Sequence, residues 1–140
     1  HASRSHRLHV MKWRGPMLTG VFALGAAAFV RAAPNVQHGE QVYVRCMACH
    51  ALAYDRVGPR HCGLFGRLAG SVPGFAYSPA MKKSQIIWNE KTLNQFLQNP
   101  MKMVSGTAMT YDGVPDPRDR ADLIAYLKQA TNPDSPQCRK

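Results

Sequence analysis

The chain is short of acidic residues, and it lacks any long uninterrupted hydrophobic run. It carries 8 Asp and Glu against 18 Lys and Arg over 140 residues, a formal net charge of +10. Only four cysteines occur, and Cys62 and Cys138 are too scattered to supply the second ligand pair that a zinc site beside Cys46 and Cys49 would need. No βαβ pattern is present to house a thiol redox pair, and no basic stripe with interleaved aromatics favours nucleic acid. The apolar stretch Met17 to Val30 has 14 residues, short of the roughly 20 that a membrane span requires. Repeats are absent, and little in the pattern favours strand.

That apolar stretch has a different reading. It follows a basic segment, Met11-Lys12-Trp13-Arg14, and precedes Arg31-Ala32-Ala33-Pro34. A basic n-region, an h-region and a small-residue cleavage site in this order form a secretory leader. Residues 11–32 are therefore expected to be a signal peptide cut after Ala32, and residues 1–10 an upstream extension without a role. The alternative is an uncleaved anchor that tethers the domain to a membrane. Residues 33–140 remain as one small domain. Arg4, Arg7, Lys12, Arg14 and Arg31 lie outside it, so it keeps 13 basic against 8 acidic residues, a net +5. Such a field can steer encounter with an acidic partner.

What is present is concentrated in five residues, Cys46-Met47-Ala48-Cys49-His50. Two cysteines separated by two residues and followed by histidine form the attachment signature for c-type haem. The thiols add to the two porphyrin vinyl groups, and the next residue then falls under the iron as its proximal ligand. Covalent haem is attached outside the cytoplasm, in an oxidising compartment, which agrees with the leader. A 108-residue domain buries only a modest core, and a haem would enlarge it.

The expected fold class is all-α. Val36 to Cys49 reads as a helix with the haem signature at its end. Ala53 to Ser84 carries Gly58-Pro59, Gly63, Gly66, Gly70, Pro73-Gly74 and Pro79, and cannot hold a long regular element. Leu93, Phe96 and Leu97 mark a helix over Thr92–Gln98, closed by Asn99-Pro100. Met101 to Pro117 reads as loop. Ala121, Leu123, Ile124, Tyr126 and Leu127 give the clearest helix, Pro117–Thr131, with Asp116 as its cap and Pro117 at its first position. Loops this long in so small a domain call for an organising ligand.

The sixth iron position separates a carrier from a catalyst, because an open one binds oxygen, peroxide or nitric oxide. Met109, in Gly106-Thr107-Ala108-Met109-Thr110-Tyr111, sits on a loop that can close over the second haem face. Met101, Met103 and Met81 are its rivals, and spacing alone leaves the choice open.

Over residues 36–132 the chain resembles the small soluble class I cytochromes c of bacteria and mitochondria. The resemblance runs through Cys46 to His50, Gly58-Pro59, Gly63-Leu64-Phe65-Gly66-Arg67 and Pro73-Gly74-Phe75-Ala76-Tyr77-Ser78. It continues through Trp88, Asn99-Pro100, Gly106 to Met109 and Asp122 to Leu127. It implies three to five helices and long loops wrapped around one covalently bound haem. It also implies Met109 as the distal ligand, and Arg67, Tyr77 and Trp88 as partners of the inner propionate, a buried carboxylate that needs donors or counter-charge. Pro59 would set its carbonyl against His50 and raise the ring's donor strength. Gly39 and Tyr43 would meet Tyr126 where the first and last helices cross.

The departures from the family pattern are informative. The segment between His50 and Gly58 is shorter than in the mitochondrial proteins, which favours a compact bacterial form. Met101, Ser105 and Ala108 stand where lysine or proline is usual. The lysine ring that guides docking is thinned to Arg45, Lys82, Lys83, Lys91 and Lys102, so a shallow salt dependence of partner association is expected. In the family's fold the last helix ends close to the Gly-Pro turn, which implies a disulfide between Cys62 and Cys138.

The resemblance thus implies a periplasmic, monomeric one-electron carrier with one haem c and its iron. Its partners would be redox complexes such as a quinol-cytochrome c reductase, a terminal oxidase, a photosynthetic reaction centre or a dehydrogenase. Two other readings stand beside it: a membrane-tethered electron-transfer subunit, and a haem catalyst or sensor with an open iron.

Overall fold

The computed structural model describes residues 11–13, 15, 25 and 27–139. Residues 1–10 and most of the Met17–Val30 stretch, on which the upstream-extension and signal-peptide expectations fall, lie outside the described residues. His1–Arg31 and Ala32–Lys140 form separate units. Among the described residues, no helix is long and apolar enough to cross a membrane.

Among the described residues the Ala32–Lys140 unit contains five α-helices: α1 (Val36–Tyr43), α2 (Pro79–Lys83), α3 (Glu90–Gln98), α4 (Pro100–Met103) and α5 (Pro117–Ala130). Each starts on a side chain that accepts from the first free amides. Asn35 serves α1, Ser78 α2, Asn89 α3, Asn99 α4 and Asp116 α5. In α2, α4 and α5 a proline follows the cap, where its fixed φ favours the helix and its missing N–H costs nothing. Asn89 and Thr92 form a reciprocal capping box that starts α3 at Glu90, two residues earlier than the apolar spacing predicts.

Two sequence expectations are corrected. The first helix does not run to Cys49. It ends at Tyr43 and tightens into a 3-10 turn over Val44–Cys46, and Cys46–His50 follows as a separate turn. The returning loop meets the end of that turn, where the Cys49 carbonyl accepts from Gly58 N at 2.8 Å. The segment from Met101 to Pro117 is not all loop, because α4 occupies its start with Asn99 as cap.

α1 and α5 cross at a glycine. A Cβ on Gly39 would collide with the Asp122 carbonyl oxygen and lie 2.8 Å from Tyr126 Cβ, so only glycine permits this approach. α3 lays Leu93, Phe96 and Leu97 against the buried face of α5, where Leu123 is fully enclosed. Among the described residues the only strand-like pairing is one isolated antiparallel bridge, Leu68 with Ile87. Together with the bonds from Trp88 N to Arg67 O and from Gly66 N to Trp88 O, it straps residues 66–69 to 86–88. Long loops thus close around a central space.

Candidate functional site

That space is a cavity of about 390 Å³. Cys46, Cys49 and His50 line one part of it, Met109 another, and Leu93, Phe96, Leu97, Leu123 and Leu127 give it apolar walls. The Cys46–His50 segment is a tight turn: the Cys46 carbonyl accepts from Cys49 N at 3.2 Å and from His50 N at 2.9 Å. Both thiols are free, with Cys46 half-buried and Cys49 exposed. Burial pushes the Cys46 thiol up to about 11, against the opposing pull of Arg45, so it stays protonated at neutral pH.

His50 is buried, and its Nδ1 donates to the Pro59 carbonyl at 2.8 Å. Burial lowers its proton affinity, partly offset by that carbonyl, and keeps the imidazole neutral with Nε2 free as a donor atom. Gly58 makes room for the ring, because a Cβ there would strike His50 Cε1.

Arg67, Tyr77 and Trp88 all line the same cavity. Arg67 donates Nη1 to the Arg60 carbonyl at 2.9 Å and Nη2 to the Cys62 carbonyl at 2.6 Å. Each terminal nitrogen keeps a second hydrogen for another acceptor. Burial reduces the basicity of Arg67, and Tyr77 nearby opposes that shift. The Tyr77 hydroxyl accepts from Val72 N at 3.2 Å, which leaves its own hydrogen free to donate. Trp88 is buried with its ring against Phe96, centroids 4.9 Å apart. Met109 is half-buried, and its amide donates to Thr107 Oγ1 at 3.2 Å. Of its rivals, Met81 is buried and lines the cavity, Met103 packs against the core and Met101 is exposed.

The structure gives roles to three residues to which the sequence reading gave none. His61 lies on the cavity wall with its ring stacked on that of His50, centroids 4.2 Å apart. Burial, reinforced by His50 and Arg67, holds its proton affinity well below that of a free histidine. It falls between two motifs, Gly58-Pro59 and Gly63 to Arg67, and a histidine in so tight a turn was the available signal. Arg120 is buried in α5 and donates to the Val114 and Pro115 carbonyls at 2.9 and 2.8 Å, bracing the chain beyond Met109. Asp122 is 2% exposed and accepts from Asn35 N, His38 Nδ1 and Arg118 Nε. Cys62 and Cys138 form a disulfide with Cα atoms 5.5 Å apart, which ties the tail beyond α5 to the turn that carries His61.

Comparison with known proteins bears on this geometry. Residues 36–131 match the family model described as cytochrome c. The chain belongs to the cytochrome c family. Cytochrome c from Sesamum indicum is 46% identical over 110 residues, which cover 75% of this chain and 99% of the relative. Cytochrome c2 from Blastochloris viridis is 41% identical over 116 residues, covering 81% and 91%. Cytochrome cH from Methylobacterium extorquens superposes with a TM-score of 0.65 at 41% identity, over 67% of this chain and 97% of that one.

As a cytochrome c the protein carries one covalently bound haem c with its iron and is a monohaem electron carrier. The cavity suits that group. It presents two unpaired thiols and a neutral imidazole on one tight turn, while the other two cysteines are consumed in a disulfide. Its walls are mostly apolar, and Arg67 and Tyr77 bring hydrogen-bond donors to its lining.

Proposed function

We propose that the protein is an exported, periplasmic carrier of single electrons whose iron is closed on both sides. Cys46 and Cys49 would hold the haem through thioether bonds, His50 Nε2 and the Met109 sulfur would ligate the iron, and Arg67, Tyr77 and Trp88 would surround the inner propionate. When bound, the haem supplies a one-electron couple at its iron. The chain's own work is to hold the ligands and exclude water. Pro59 orients His50 and enriches its donor nitrogen. Leu93, Phe96, Leu97, Leu123 and Leu127 keep the surroundings dry, and Arg67 supplies the counter-charge. A filled sixth position leaves no site for substrate, so the protein would not act as an enzyme.

Residues 11–32 would be the cleaved leader and 33–140 the mature domain. The partners would be a quinol-cytochrome c reductase, a terminal oxidase, a reaction centre or a dehydrogenase, met by the monomer at its thinly basic surface. One observation carries the reading: Met109 lines the same cavity as Cys46, Cys49 and His50. The test is the weak far-red absorption band of a sulfur–iron(III) bond in the oxidised protein. The band should be present in the wild type and lost in Met109→Ala with the haem still attached. Its absence from the wild type, with rapid binding of cyanide or nitric oxide, would favour the catalyst or sensor.

A further inference from the structure

His50 is held by one hydrogen bond from Nδ1 and by the close passage of Gly58. A single in-plane hydrogen bond fixes where the ring points but tolerates tilting about the bond's own axis. What meets the ring's face decides the tilt. That face is met by His61, at 4.2 Å between centroids and 23° between planes.

His61 is itself held from several directions. Its Nδ1 shares a hydrogen bond with the Tyr43 hydroxyl at 3.0 Å, and the two rings are in edge contact at 5.7 Å. Its amide donates to the Leu52 carbonyl at 3.0 Å, and the next residue is bridged to Cys138. Tyr43 is 4% exposed, at the end of α1, where it packs on Tyr126 of α5. An aliphatic side chain at position 61 would fill the same space, but it would present no flat face and have no bond to fix its orientation. The arrangement therefore does more than fill volume: it connects the plane of His50 to the α1–α5 crossing.

We propose that His61 is a positioning residue, which with Tyr43 sets the plane of the His50 imidazole. This rests on the reading of His50 as the iron ligand. The imidazole plane governs the direction of the ligand's π overlap with the iron, and hence the magnetic anisotropy of the ferric centre and the uneven spin density around the porphyrin.

The test uses the oxidised holoprotein and the variants His61→Leu, His61→Phe and Tyr43→Phe. Proton NMR reads the spread and order of the four haem-methyl resonances, electron paramagnetic resonance reads the g-values, and thermal unfolding is followed in parallel. His61→Leu should rearrange the methyl pattern and shift the g-values. His61→Phe, which keeps a flat face, should restore most of the wild-type pattern, and Tyr43→Phe should give a smaller shift in the same sense as His61→Leu. A His61→Leu protein with wild-type methyl pattern and g-values, altered only in its unfolding temperature, would overturn the proposal. If His61→Leu yields no holoprotein, Tyr43→Phe decides, and an unchanged pattern there overturns it equally. A wild type that lacks a low-spin histidine-ligated ferric signal would instead sink the reading of His50 on which the proposal rests.

Discussion

The two sides of the cavity are built differently. On the His50 side, residues 46–67 are tied down by many independent links. Gly58 N reaches the Cys49 carbonyl, His61 N the Leu52 carbonyl, and Arg67 grips the carbonyls of Arg60 and Cys62. Asp55 takes both the amide and the guanidinium of Arg60, and the Cys62–Cys138 bridge anchors the whole turn. The Met109 side is pinned at two ends and slack between them. Thr107 N bonds to Val104 O, and Val114 N to Leu97 O at 2.7 Å. Among the described residues, the amides of residues 110–112 donate to no protein acceptor. Few bonds and high exposure mark the segments that open first, so the methionine side should loosen at lower cost than the histidine side.

The disulfide gives the largest effect by which this contrast can be broken. Replacing both Cys62 and Cys138 by serine releases a link across 76 residues. It should cost about 2–4 kcal/mol, a fall in Tm of about 10 °C or more. Amide hydrogen exchange should rise over residues 58–63 and stay as before at Thr107, Met109 and Val114, the hydrogen-bonded amides of the other side. An equal rise in both segments would show that the two sides open as one unit. Gly113→Ala strikes the opposite side. Gly113 has φ +102°, and a Cβ would lie 2.6 Å from the carbonyl oxygens of Leu97 and Gln98. Strain and collision together should cost about 1–3 kcal/mol. In this variant the far-red sulfur–iron band should fade well below the temperature of global unfolding. Coincident transitions would deny the Met109 loop its independence.

The helical frame was legible where caps and apolar spacing agree. Asp116-Pro117 with Leu123, Ile124 and Leu127 announces α5, and Leu93, Phe96 and Leu97 announce α3. The end of α1 was not legible, because the bond that draws the chain away comes from Gly58, in a loop that local periodicity does not see. α4 was hidden for a related reason, being four residues that exist through the Asn99 cap. The motif Cys46 to His50 and the resemblance named residues that the structure brings to one cavity. They were silent on His61, whose position on His50 depends on Tyr43 from α1 and on the route of the 50–62 loop. The roles of Arg120 and Asp122 escaped for the same cause. On a helix wheel they read as solvated charge, and only the packed structure supplies the carbonyls and the histidine that bury them.

Asp122 tests how far the well-held side depends on the clasp between α1 and α5. Burial alone would raise its carboxyl, but the Asn35 amide, His38 and Arg118 outweigh that and hold it below the usual carboxylate range. A lowered folded-state value means that the ionised form favours the fold. Its contribution is complete above the unfolded value of about 4 and is lost as pH falls through the folded one. Asp122→Asn keeps an oxygen for the Asn35 amide but loses the charge that meets His38 and Arg118, so it should cost about 1–2 kcal/mol at pH 7. Its stability should then change less than that of the wild type as pH is lowered from about 5 to about 2, followed by denaturant titration at each pH. Because the carboxylate holds the first residues of the domain, acid should raise hydrogen exchange in α1 before it affects residues 58–63. An unchanged pH slope in Asp122→Asn would move the acid sensitivity to another carboxylate and leave the histidine side resting on its disulfide and loop bonds alone.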